Sequence, residues 1–120
     1  MSASTDFVIN MNSAEDANKV VSIMKNIAAQ RTPDYPTEIE KFIADITVEG
    51  STVKVEDSYS LMSPTFREMG FQIMTEIGRH NFGAFTMQAW FTSYNCGYEA
   101  EFSGRAFKNG KYRISFSEHE

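Results

Sequence analysis

The chain has one cysteine, Cys96, in 120 residues, so no disulfide can close within it, and no Asn-x-Ser/Thr sequon is present. Both features point to a reducing, cytoplasmic setting. Long apolar runs are missing as well. Phe7-Val8-Ile9, the longest near the N-terminus, is far shorter than a signal-peptide core or a membrane span. Basic residues are outnumbered 11 to 16, for a net charge of −5. That lacks the Lys/Arg surplus on which phosphate-backbone affinity rests, and it argues against direct nucleic-acid binding. Phosphate-cradling glycine loops and nucleophile motifs are absent, and two histidines and one cysteine make no zinc spacing. No cofactor or metal is expected, and no reaction is assigned.

What remains fits one α+β domain over residues 6–120, following a disordered polar end at residues 1–5. Phe7, Ile9 and Met11 alternate with Val8 over Asp6–Asn12, the pattern of a strand buried mainly on one side. Ser13 is placed as an N-cap, and Ala17, Val20, Val21, Met24, Ile27 and Ala28 share one face of a helix from about Ala14 to Gln30. The connector Arg31-Thr32-Pro33-Asp34-Tyr35-Pro36 cannot be helical throughout. Thr37–Glu40 repeats a capping pattern, which allows a short helical turn through Ile39 and Phe42. Strands are expected over Ile43–Glu49 and Thr52–Tyr59, joined at Glu49-Gly50-Ser51. Ser63-Pro64 reads as the cap and first residue of a second long helix, with Phe66, Met69, Gly70, Ile73 and Ile77 inward.

From Ala84 to Ser117 the pattern is three strands. An Asn109-Gly110 two-residue hairpin would split the apolar sets across two faces. A type I turn with a left-handed Gly110 instead sets Ala106 opposite Tyr112, Gly104 opposite Ile114 and Phe102 opposite Phe116. The same test on Tyr94-Asn95-Cys96-Gly97-Tyr98 sets Phe91 opposite Phe102, Ala89 opposite Gly104 and Met87 opposite Ala106. One face is then buried and includes Phe85, Met87, Phe91, Phe102, Tyr112, Ile114 and Phe116. The order β-α-β-β-α-β plus a hairpin is a ferredoxin-like split β-α-β arrangement with two helices on one face of an antiparallel sheet. The other sheet face is left open.

Over Thr52–Phe116, the strand leading into Ser63-Pro64, the segment Tyr94-Asn95-Cys96-Gly97, then Phe102-Ser103-Gly104 and the Asn109-Gly110-Lys111 turn together resemble the YubB-type ferredoxin-like domains of plasmid and phage proteins. The Trp-Gly-Thr-Lys-Trp signature of that family is not in this chain. The resemblance implies a mobile-element protein and carries no functional residue with it.

The candidate binding surface is the open face: Gln88, Trp90, Tyr94, Glu101, Arg105, Phe107 and Arg113. Trp, Tyr and Arg combine large area with polar tips and so anchor interfaces. The alternative for the same residues is an ordinary sheet surface, with the arginines lying over Trp90 and Phe107 by cation-π contact. Cys96 lacks a basic neighbour in sequence, His80 suits a helix C-terminus, and Glu99 with Glu101 suit a solvated strand side. The leading expectation is a non-catalytic interaction module that self-associates or docks a protein on this face. A pocket using Tyr94, Tyr98, Glu101, Arg105 and Cys96 is the enzymatic or small-molecule alternative. A third reading uses the charge excess of residues 1–60, ten acids to five bases, as an acidic inhibitor of a host nucleic-acid-binding complex.

Overall fold

Alternation along the strands decides the sheet, and the helices follow from where its apolar side falls. The computed structural model describes residues 3–31, 36–58, 61–94 and 97–119. In chain order these form β1 (Ala3–Asn10), α1 (Ala14–Ala29), α2 (Pro36–Ala44), β2 (Ile46–Glu49), β3 (Thr52–Ser58), α3 (Ser63–Arg79), β4 (Phe85–Ser93), β5 (Tyr98–Ala106) and β6 (Tyr112–His119). The fold is α+β, with three helices and a six-stranded sheet in the order β2-β3-β1-β4-β5-β6 whose neighbours are all antiparallel.

One ladder row crosses the whole sheet on the helix side: Ile46, Val55, Phe7, Ala89, Phe102 and Phe116. The Phe7 ring meets Phe42 of α2 at 5.7 Å and Phe66 of α3 at 6.1 Å, so both helices lie on this side. Phe66 also packs 5.3 Å from Phe91 and 5.5 Å from Phe102. Gly70, one turn on, lies so close to β5 that an added Cβ would come 2.5 Å from the Phe102 ring. α1 buries Ala17, Val20, Met24, Ile27 and Ala28, and its Ser13 cap accepts the Asp16 N–H at 3.1 Å. Arg31 at its end reaches α3, donating to Gln72 at 3.3 Å and lying 3.6 Å from Glu68.

The second hairpin has the expected bulge. Gly110 is left-handed at φ +86°, its N–H donates to Phe107 O at 3.1 Å, and Phe107 N–H donates to Lys111 O at 2.9 Å. Ala106, Gly104 and Phe102 face Tyr112, Ile114 and Phe116 as that turn requires.

Several expectations are corrected. The β4–β5 register is two residues away from the expected one: Phe91 faces Ala100, Ala89 faces Phe102 and Met87 faces Gly104. Each large side chain thus meets a small one, which leaves room for Phe66 between Phe91 and Phe102. β1 starts at Ala3 instead of Asp6, because Ala3, Ser4 and Thr5 pair with Ser93, Thr92 and Phe91 and are buried. Three helices replace two: residues 36–44 form a full helix burying Ile39 and Phe42, and β2 is shortened to begin at Ile46. Ser63 is already helical, and Met62 takes the cap position without a side-chain bond, its own N–H donating to Glu38 of α2 at 2.7 Å. β6 is less covered than expected, with Tyr112 39% exposed and Ile114 and Phe116 half-buried. Among the described residues, no helix is long and apolar enough to cross a membrane.

Two substitutions test the seating of α3. Phe66→Ala is expected to cost about 3–5 kcal/mol. Gly70→Ala should overpack Phe102 by about 1–3 kcal/mol, offset by roughly 1 kcal/mol of helix propensity, for a net loss. Urea midpoints measure both, and an unshifted midpoint for Gly70→Ala would mean that Phe102 moves aside freely.

Candidate functional site

The sheet face away from the helices is built from the alternate residues of each strand. Its ladder rows run Ser4-Thr92-Glu99-His119, Asp6-Trp90-Glu101-Ser117, Val8-Gln88-Ser103-Ser115 and Asn10-Thr86-Arg105-Arg113. Trp90 therefore stands on the open face, half-buried between Asp6 and Glu101. Gln88, Glu101, Arg105 and Arg113 are exposed on the same face. Tyr94, 66% exposed, lies just beyond the end of β4, and Phe107, 37% exposed, just beyond the end of β5.

The rows separate charge. Asp6, Glu99 and Glu101 sit at the Trp90 end, Arg105 and Arg113 face each other at the other end, and Gln88, Ser103 and Ser115 lie between. Among the described residues, neither arginine nor Glu101 has an ion-pair partner. The side of the face toward β2 differs. There Lys54 Nζ lies 2.8 Å from Glu49 and 3.8 Å from Glu56. The hydrogen bond and charge of Lys54 hold the Glu49 carboxyl below the ordinary carboxylate value, and Glu49 in turn raises the Lys54 ammonium.

Among the described residues, three shallow depressions mark the face. One of about 130 Å³ is lined by Trp90, Thr92, Glu99, Glu101 and His119. Another of about 240 Å³ lies over Thr86, Gln88, Ser103 and Arg105. A groove of about 450 Å³ at the arginine end is lined by Asn10, Asn12, Ala84, Thr86, Arg105 and Phe107. Its wall is held by Asn12 donating to Ala84 O at 2.7 Å and Asn10 donating to Thr86 at 3.3 Å.

Among the described residues, Tyr94, Tyr98, Glu101 and Arg105 do not converge on one pocket within this chain. Tyr98 belongs to the helix side, where it packs 6.1 Å from Phe91 and donates to Glu118 at 2.6 Å, whereas Glu101 and Arg105 point the other way. Cys96 and Asn95 lie outside the described residues, as do Tyr59 and the connector residues 32–35. The cation-π shielding of Trp90 and Phe107 is also not seen among the described residues; the ladder gives Trp90 acidic neighbours instead. His80 sits at the end of α3, its Nδ1 2.8 Å from the Glu76 carbonyl in a bond that requires the Nδ1–H tautomer, and stacks on Phe82. Among the described residues, no three metal-ligating side chains cluster.

Three further residues, His119, Asp6 and Asn10, belong to the face. His119 is the last residue of β6 and lies 2.8 Å from Glu99. Asp6 and Asn10 bring β1 into the face, on the side away from Phe7 and Ile9. Comparison with known proteins finds no matching family model, curated protein or solved structure.

Removing the ammonium tests the local electrostatics. Lys54→Met should move the Glu49 titration midpoint upward toward the ordinary carboxylate value, followed by carboxyl NMR shifts. A midpoint unchanged from wild type would show that Lys54 does not hold Glu49.

Proposed function

We propose that the chain is a non-catalytic interaction module acting in the cytosol, which docks a protein partner on its open sheet face. The observation that carries this reading is the charge-divided face itself. Among the described residues, a half-buried tryptophan lies between Asp6 and the unpaired Glu101 at one end, and two unpaired arginines lie at the other. Such a surface suits a partner with a reversed charge order and an apolar group for Trp90. Complementary potentials set orientation and encounter rate, and the aromatic and arginine contacts supply the affinity. We further read the module as ferredoxin-like. Support comes from the order β2-β3-β1-β4, in which the connection from β1 to β2 passes over β3 and that from β3 to β4 passes over β1. The mobile-element origin suggested by the YubB-type resemblance is proposed on the residues of that resemblance.

Neither alternative gains a specific observation. Four of the ten acids of residues 1–60 lie against lysines: Glu15 against Lys19, Asp45 against Lys41, and Glu49 and Glu56 against Lys54.

Capture from host lysate by the wild-type protein and by a Trp90→Ala/Arg105→Glu variant tests the reading. A partner held by the wild type and reduced at least about tenfold with the variant, at an unchanged unfolding midpoint, is the expected result. Equal capture by both proteins would remove the open face as the docking surface.

A further inference from the structure

We propose that β6 pairs antiparallel with β6 of a second copy of this chain, about a twofold axis perpendicular to the sheet at Ser115, making one continuous twelve-stranded sheet. The inference does not depend on the open-face reading, because it uses the strand's edge.

The two sheet edges differ. β2 is four residues long, a short edge of the kind monomers tolerate. β6 runs eight residues in unbroken register, without proline, lysine or a bulge to blunt it. The Phe107–Lys111 hydrogen bond sets the phase of the ladder. Arg113, Ser115 and Ser117 therefore turn their main-chain groups toward β5, and Tyr112, Ile114, Phe116 and Glu118 turn theirs outward. Centring the twofold on Ser115 pairs those outward groups completely: Ile114 with the second copy's Phe116, and Tyr112 with its Glu118.

Side chains agree with that register on both faces. On the helix side, Ile114, Phe116, Tyr112 and the 44%-exposed Phe71 of α3 form an apolar strip that this chain leaves half-covered. α3 packs against β4, β5 and β6 alike, so two copies of it would stand roughly 14 Å apart, three strand spacings. Direct helix packing needs about 8–10 Å, and the aromatic strip from both copies fills the difference. On the open face, Arg113 lies opposite Ser117 of the second copy, and the next residue in that row is the second copy's Glu101. The small serine lets the unpaired arginine reach the unpaired glutamate, so the divided charge complements itself under the twofold.

Sedimentation equilibrium should give twice the chain mass. Ser115→Asp sets two carboxylates directly opposite and should raise the dissociation constant at least about tenfold. In a Cys96→Ser background, Ser115→Cys should cross-link on mild oxidation, because facing residues at such a pair lie about 4.5 Å apart, while the inner-strand control Ser103→Cys should not. Trp90→Ala should leave the mass doubled, which separates this proposal from the open-face reading. A monomer at every concentration would overturn the proposal. So would a dimer that ignores Ser115→Asp, lacks the Ser115→Cys cross-link, or dissociates with Trp90→Ala.

Discussion

The contact on which the rest of this structure depends is the seating of α3 on β5: Phe66 wedged among Phe7, Phe91 and Phe102, and Gly70 admitting the Phe102 ring against the helix backbone. Side chains alternate along a strand, so fixing one residue on the helix side fixes the parity of its whole strand and, through the ladder, of every strand paired with it. Phe102 under α3 puts Glu101 and Ser103 outside. The pairing then puts Trp90 and Gln88 outside beside them. The charge-divided face is thus a consequence of where one aromatic ring is buried.

The same seating explains why β6 is left half bare. Six strands at roughly 4.8 Å spacing span about 24 Å between the outermost strands, whereas two long helices packed about 8–10 Å apart cover less than that. Here α1 lies toward β2 and β3, and α3 toward β4, β5 and β6. α2 packs on α1 and β3 and adds no cover at the far edge. The surplus width falls at β6, where Tyr112, Ile114 and Phe116 alternate inward without a helix to enclose them fully.

Much of this was legible in the residues. The periodicities of α1 and α3, the bulged turn at Gly110 and the parity of β4, β5 and β6 follow from patterns that depend only on near neighbours in sequence. What was not legible depended on partners distant in sequence. The β4–β5 register turned on Phe66 needing space between Phe91 and Phe102. The length of α2 turned on a pocket for Phe42 against Phe7. The start of α3 turned on Glu38, twenty-four residues away, taking the Met62 N–H. The contribution of β1 to the candidate site was hidden for the same reason, because which strand lies beside Trp90 is a matter of sheet order.

A single NOESY spectrum tests the central claim, that burial of Phe102 beneath α3 turns Trp90 outward. The account predicts cross-peaks from the Phe102 ring to Gly70 Hα and Phe66, and from the Trp90 indole to Asp6, Glu101 and their neighbours on the open face. Indole cross-peaks to Met69, Ile73 or other inward residues of α3 would contradict it, because the parity of the sheet would then be reversed.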